Sequence, residues 1–203
     1  MTFDVITLFP EVFKTYFRQS LIKKACQKKV LKINILDLRD FSSDKHKTVD
    51  DKPFGGGRGM VLKLEPIYKA VKSLRKQKKR KTKVIFFTPR GKKFNQKMAT
   101  KFAKLDRLIL ISGRYEGVDE RVAKYIADEK ISIGDYVLMG GDLPALVVME
   151  TIARLVPGVI GKSELLKERI TKKKGFIEYP QYTGPKVFEP QKGARWRVPQ
   201  RRY

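Results

Sequence analysis

Three segments combine glycine, charge and apolar side chains in patterns that could carry chemistry. The first, ISIGDYVLMGGDLPA from Ile131 to Ala145, is an apolar stretch broken by Gly134, Gly140 and Gly141, with Leu143 and Pro144 opening a helix. A backbone interrupted in this way can wrap a flat apolar ligand such as adenine and read its edge with N–H and C=O groups instead of side chains. The second, SGRYEGVDER from Ser112 to Arg121, follows directly on the apolar run LILIS and puts Arg114, Glu116, Asp119, Glu120 and Arg121 within eight positions. The C-terminal end of a parallel strand is where open α/β sheets hold ligands, although Asp119, Glu120 and Arg121 serve equally well as a salt-bridged helix cap. The third, PFGGGRGM from Pro53 to Met60, carries four glycines in five positions around Arg58. Its backbone can adopt positive φ and approach a ligand closely, and its N–H groups can meet phosphate. It is not a P-loop, because no Gly-Lys-Ser/Thr follows, nor a dinucleotide fingerprint, because it does not run from a strand straight into a helix. No acidic residue ends a second strand to grip a ribose, as ordinary nucleotide folds require.

Hydrophobic periodicity supplies the elements that must position these segments. Val5 to Phe9 reads as a strand closed by Pro10. Pro10 to Lys28 reads as one amphipathic helix, with Phe13, Phe17, Leu21 and Ile22 on its inner face and Lys14, Arg18, Lys23 and Lys24 on the other. Val30 to Leu36 alternates apolar Leu31, Ile33 and Ile35 with Lys32 and Asn34, the pattern of a strand. Asp40 to Gly59 has no period and is expected to be a long loop, and such loops inside compact domains are often functional. Glu65 to Lys76 follows as a helix, Val84 to Thr88 as a buried strand ending at Pro89, Asn95 to Leu105 as a helix and Leu108 to Ser112 as a second buried strand. Asp119 to Tyr125 is a helical turn or two, Ile131 to Ile133 a short strand, and Leu143 to Val156 an apolar helix stopped by Pro157 and Gly158. This alternation predicts an α/β fold with a mainly parallel sheet and flanking helices. Arg75 to Lys83 is nearly all basic and suits a solvated loop or an RNA contact. The tail from Lys186 has neither period, but its Arg195, Trp196, Arg197, Arg201, Arg202 and Tyr203 suit RNA backbone and base stacking.

Charge narrows the partner. The chain has 203 residues, 46 of them Lys or Arg against 21 Asp or Glu, for a formal net charge of +25. Self-repulsion on this scale opposes a compact state unless a polyanion absorbs it, and a nucleic acid gains further from counterion release. Cys26 and His46 are the only residues of their kinds, which excludes an internal disulfide and a structural zinc site. The N-terminus, with Asp4 and Glu11, lacks the pattern of a signal peptide, and no apolar run reaches membrane-span length. A reduced, cytoplasmic location away from membranes is the expectation.

LFPEVF, HKTVDDKPFGGGRGM, FFTPRG, ISGRYEGVDERV, SIGDYVLMGGDLPA, RLVPGVIG and EYPQYTGP occur in the order and spacing of one family. From Met1 to Val187 the chain closely resembles the bacterial tRNA (guanine-N1)-methyltransferases, the TrmD family of the knotted SPOUT class. The resemblance implies a catalytic domain over residues 1–160, an α/β fold whose C-terminal part forms a deep trefoil knot. It implies homodimers with active sites built from both subunits, S-adenosylmethionine as donor, and methylation of tRNA at N1 of the guanosine just 3′ of the anticodon. Magnesium assists in the family, and no DNA partner is expected.

Carried over by motif, the donor pocket comprises Phe86, Phe87, Thr88 and Pro89, then Gly113, Tyr115, Glu116 and Gly117, and finally Ile133, Gly134, Asp135, Tyr136, Val137, Leu138, Gly140, Gly141 and Pro144. The residues facing tRNA are His46, Asp50, Gly55, Gly56, Gly57, Arg58 and Gly59. The catalytic set is Arg154, Glu168, Glu116 and Asp50, and no residue is assigned to a metal. The chemistry needs in-line positioning of the methyl group, a base for the proton on guanine N1, and a cation such as Arg154 or magnesium for charge developing toward O6.

The chain departs from the family pattern in four places. The family's base is an aspartate in a mobile loop, and counting forward from Gly161 lands on Arg169, which cannot act as a base. Counting back from Tyr182 lands on Ile170. Glu168 is taken as the substitute, with Glu164 nearby and Asp50 or water as alternatives. Arg58 stands where proline is usual and Gly184 where arginine is usual. Family members continue into a helical domain that grips tRNA, so residues 161–203 are expected to be a mobile loop and a truncated extension. Two other readings stay open: a knotted methyltransferase of other RNA, and a donor- and RNA-binding homologue with weak or no catalysis.

Overall fold

The computed structural model describes residues 1–76, 81–161, 180–191 and 193–199. In chain order the elements are β1 (Thr2–Thr7), α1 (Pro10–Phe17), α2 (Ser20–Gln27), β2 (Lys32–Asp37), β3 (Asp50–Asp51), β4 (Val61–Leu62), α3 (Leu64–Arg75), β5 (Thr82–Lys93), α4 (Gln96–Phe102), β6 (Arg107–Ile111), β7 (Glu129–Ser132), α5 (Asp142–Ala153), β8 (Val187–Gln191) and β9 (Ala194–Arg197), with short helical turns at Leu38–Phe41 and Val122–Ile126. The chain divides into two compact units, Met1–Ser163 and Glu164–Tyr203.

The first unit is an α/β fold around a five-stranded sheet of order β2-β1-β6-β5-β7, in which the described pairings are parallel. The central strands are apolar on both faces because helices cover both. Phe3, Val5, Ile85, Phe87, Leu108 and Leu110 point into a core shared with α1, α2, α4 and α5. Their alternating neighbours Ile6, Val84, Phe86, Ile109 and Ile111 point into a second core with α3 and the Val122–Ile126 turn. One ion pair interrupts this apolar packing. Asp4 and Arg107 are both essentially inaccessible, and the Arg107 Nε donates to Asp4. Arg107 Nη1 also donates to the Leu74 carbonyl at 2.8 Å, and Asn34 Nδ2 donates to the other Asp4 oxygen at 2.5 Å.

Several element boundaries differ from the sequence expectation for local reasons. The single helix expected from Pro10 to Lys28 is two, because Gln19 adopts an extended conformation (φ −124°, ψ 168°) between α1 and α2. The break resets the phase of the inner face, so Ile22 and Ala25 are buried while Leu21 is 51% exposed. The loop expected from Asp40 to Gly59 contains β3, which pairs antiparallel with β4. The strand expected to end at Pro89 runs to Lys93 with a register shift between Phe87 and Lys92. The strand expected at Val5–Phe9 begins at Thr2 and ends at Thr7.

The second unit contains a hairpin where the tail showed no strand period. Phe188 and Trp196 are cross-strand partners with ring centroids 5.7 Å apart, and Arg195 bonds Glu189 at 2.6 Å. Pairs of this kind are what stabilise a two-stranded ribbon. The alternation is hidden in sequence because β8 sets apolar Val187 directly before Phe188 and carries a proline at 190.

Candidate active site

Parallel pairing brings the C-terminal ends of β5, β6 and β7 together. Phe86 lies beside Ile111, and Phe87 beside Ile131, so the segments that follow all leave the sheet at one edge. This is where an open α/β sheet can enclose a ligand. Past Phe87 the chain arches through Thr88, Pro89 and Arg90 and rejoins β7 at Lys92. Gly91 makes the return possible: a Cβ there would lie 2.5 Å from the Ile131 backbone nitrogen. After β7 the chain loops out and comes back to β6, where Gly141 N–H donates to the Gly113 carbonyl at 2.9 Å. A Cβ on Gly141 would lie 2.8 Å from the Ser112 Cα and 3.0 Å from the Gly113 nitrogen, both backbone atoms.

These three excursions enclose a cavity of about 320 Å³, within the range of small-ligand sites. Of the residues assigned to the donor pocket, Phe86, Phe87, Thr88, Pro89, Gly113, Tyr115, Glu116, Gly117, Ile133, Tyr136, Val137, Leu138, Gly140, Gly141 and Pro144 line it. Gly134 and Asp135 do not. Gly134 lies under the Tyr136 ring, where a Cβ would come within 2.2 Å of it, and Asp135 turns outward to pair with Lys93. Gly141→Ala should therefore displace the loop that closes the cavity, because neither backbone neighbour can yield. A donor-affinity loss of at least about tenfold is expected, measured by titration calorimetry with S-adenosylmethionine. Unchanged affinity would contradict the packing argument.

A buried clamp holds the cavity floor. Asp142, in the first turn of α5, is almost wholly inaccessible. It accepts from Thr7 Oγ1 at 2.7 Å, from Arg114 Nε at 2.9 Å and from Arg114 Nη2 at 2.5 Å. The helix N-terminus further favours its negative charge. The Arg114 guanidinium also sits 4.5 Å from the centroid of the Phe9 ring. The ends of β1 and β6 and the start of α5 are thus tied together by one carboxylate. Gly140 is needed beside this clamp, since a Cβ would meet Arg114 Cδ at 2.5 Å.

The glycine-rich loop docks on the same site. Glu116 N–H donates to the Met60 carbonyl at 3.1 Å, Leu62 N–H to Gly117 at 3.0 Å and Asp119 N–H to Leu62 at 3.0 Å. Gly59, at φ 77°, packs so closely on Glu116 that a Cβ would lie 2.3 Å from its Cγ. Of the residues assigned to tRNA, Gly55, Gly56, Gly57, Arg58 and Gly59 form the exposed loop itself, Asp50 lies in β3 at its base, and His46 is in the exposed turn before it. That turn is anchored. Asp44 accepts from Ser42, Thr48 and the Thr48 N–H, and these bonds hold its carboxyl down at about 2.

The remaining catalytic assignments separate. Glu116 lines the cavity. Arg154 caps the C-terminus of α5, is exposed, and is not among the lining residues. Glu168, with its neighbours Glu164 and Arg169, lies outside the described residues. Asp119 and Arg121 form a local ion pair at 2.6 Å, which lowers the Asp119 carboxyl, and Glu120 pairs with Arg90. Sequence reasoning passed over Arg90, Arg114, Val118, Ile131, Ser132 and Met139 as lining residues. It also missed the clamp role of Arg114 and Asp142, although both stand inside the quoted motifs.

Comparison with known proteins agrees with this geometry. The family model described as tRNA (Guanine-1)-methyltransferase TrmD matches residues 1–199. The chain belongs to this family. A TrmD-family relative from Dictyoglomus turgidum, named tRNA (guanine-N(1)-)-methyltransferase, is 53% identical over 189 residues, 93% of this chain and 75% of its own. One of the same name from Mycoplasmopsis synoviae is 50% identical over 192 residues, 95% of this chain and 82% of its own. The solved tRNA (m1G37) methyltransferase from Aquifex aeolicus superposes with a TM-score of 0.79 at 36% identity, covering 98% of this chain and 81% of that one. The fold is therefore that of the TrmD family within the SPOUT class, for which the trefoil knot is the family's implied topology.

Proposed function

We propose that this chain transfers the methyl group of S-adenosylmethionine to N1 of the guanosine just 3′ of the tRNA anticodon, acting as a homodimer in the cytoplasm. The observation that carries the reading is the cavity at the ends of β5, β6 and β7, on which the separate sequence motifs converge. Its residues suit the donor. Phe86, Phe87, Ile133, Leu138 and Pro144 offer apolar surface to a base, and the glycine-rich backbone at Gly113, Gly140 and Gly141 offers polar edges. Glu116 offers a carboxylate to the donor's cationic end. The donor supplies an electrophilic methyl group. The protein's part is to exclude water, aim that group, and manage one proton.

Glu168 is the assigned base for the N1 proton. Asp50, at the foot of the loop docked on Glu116, is the alternative that the described residues offer. Arg154 stabilises the charge that develops toward O6. Its absence from its own cavity lining fits a composite site. Leu143, Val147 and Arg154 recur along α5 at helical spacing and are exposed, as are Val137 and Met139 at 82% and 87%. An apolar surface beside a ligand cavity is what a second copy would cover, and Arg154 of the partner subunit would then serve this cavity. Among the described residues no group of three or more His, Cys, Asp and Glu could hold a metal ion, and no step is assigned to magnesium. No described helix is long and apolar enough to cross a membrane.

The test is mass spectrometry of a tRNA transcript incubated with protein and donor. A single methyl group at N1 of the target guanosine is expected, and none when that base is adenosine. Equal transfer to both transcripts, or modification mapped elsewhere, would overturn the reading. Adding Glu168→Ala checks the base: full activity in that variant would move the role to Asp50 or water.

A further inference from the structure

Phe54 is more exposed than any other large hydrophobic side chain among the described residues, at 108%. A benzyl group held wholly in water gives the fold nothing, because apolar stabilisation scales with the area removed from water. Nor does the loop leave it there by being unstructured. Gly56 N–H donates to the Pro53 carbonyl at 3.0 Å, closing a turn around Phe54 and Gly55. Gly55, Gly56, Gly57 and Gly59 take φ of 84°, 93°, 136° and 77°, so the backbone follows a path that side-chain-bearing residues rarely adopt. The foot of this loop is fixed on the cavity wall by the Glu116–Met60 backbone bond and the close packing of Gly59 on Glu116. An aromatic ring is thus presented outward from the wall of the catalytic cavity, flanked by exposed Lys52 and Arg58.

We infer that Phe54 stacks on an unpaired nucleotide flanking the target guanosine, an inference that rests on the tRNA reading above. The physical need is specific. A guanine whose N1 is to attack the methyl group must expose its pairing edge inside the cavity, so it leaves the stack of its loop. The neighbouring base then loses a stacking partner. An exposed aromatic with cations on either side replaces that partner while the cations meet the adjacent phosphates. Stacking of this kind accepts any base, so Phe54 contributes to placing the nucleotide and not to choosing it. Phe54 is a positioning residue: it touches the neighbour and acts on the target through it.

The test is a double-mutant cycle between protein and RNA. Single-turnover methylation, transcript affinity and donor affinity are measured for the unaltered full chain and for Phe54→Ala, Phe54→Tyr and Phe54→Trp. Each is assayed with an intact transcript and with transcripts made abasic on one side or the other of the target. Phe54→Ala is expected to lose about tenfold or more on the intact transcript, as removal of a stacking aromatic typically does, while the Tyr and Trp variants retain activity and donor affinity is unchanged. On one of the two abasic transcripts the Phe54→Ala loss should vanish, because the partner base is already missing. Independent, multiplying losses at both positions would overturn the inference, as would a Phe54→Ala chain as active as the unaltered one. A shift of Phe54→Ala from dimer to monomer in sedimentation would also overturn it, showing that the ring is covered by a second copy. If the unaltered chain methylates no transcript, the parent reading fails. If it methylates and no coupling appears, only the stacking role fails.

Discussion

Arg154→Ala should slow methyl transfer by roughly 10²–10³-fold at saturating donor and transcript, the usual effect of removing a group that meets developing negative charge. Donor affinity should change little, since the role assigned to Arg154 is toward charge developing on the guanine and not toward the donor. The loss should therefore fall on the chemical step and be seen in single-turnover rates. The composite-site reading makes a sharper demand. When Arg154→Ala and Gly141→Ala chains are mixed at a donor concentration that fills the unaltered cavity but not the Gly141→Ala one, and allowed to exchange subunits, each hybrid dimer has one site with both halves intact. About a quarter of the sites in a fully exchanged population are then restored, by the arithmetic of a two-fold dimer. If each Arg154 served its own cavity, no combination of these two chains would contain an intact site. A mixture as inactive as its components would therefore refute the shared site while leaving the cavity assignment standing.

The second large effect concerns stability. Arg107→Ala should destabilise the fold by about 3–5 kcal/mol, because it leaves Asp4 as an unpaired charge in the interior. Among the described residues the Asn34 amide would remain beside it, and the Leu74 carbonyl would lose the Arg107 guanidinium. For a chain of this size the loss corresponds to roughly 6–20 °C in melting temperature. Asp4→Ala should behave similarly. Replacing both by leucine should recover most of the loss, since paired burial of charge is seldom worth more than apolar packing. Chemical denaturation of the three variants decides the matter. A single-residue loss below about 1 kcal/mol would mean that water reaches the pair on local opening.

The two cases differ in how far they were legible in the sequence. The Asp4–Arg107 pair was not legible at all. Each residue borders an apolar run and reads as a solvated strand end. Only the parallel register of β1 on β6, which seats Phe3 beside Leu108, buries both charges on the same face. Arg154 was legible only through the resemblance, since a lone arginine after an apolar helix ordinarily marks a helix end. Leu21 failed for a local reason: the turn at Arg18 and Gln19 reset the helical phase, and periodicity counts through such a break without seeing it.

The sequence by itself determined which runs are apolar on both faces, and hence an α/β fold with a parallel sheet. It also determined where the backbone is free of side chains, at Gly113, Gly140, Gly141 and the four glycines around Arg58. These follow from local spacing and residue type, which the chain carries explicitly. The tertiary structure decided what those glycines are for. Gly141 is required by the Ser112 backbone, Gly91 by Ile131 and Gly59 by Glu116, contacts made by residues remote in the chain. The exposure of Phe54 was decided at the same level, because only a folded molecule shows which side chains its core leaves in water. Close approach between distant backbones depends on strand order and register, and these are settled by the joint burial of both sheet faces and not by any one segment.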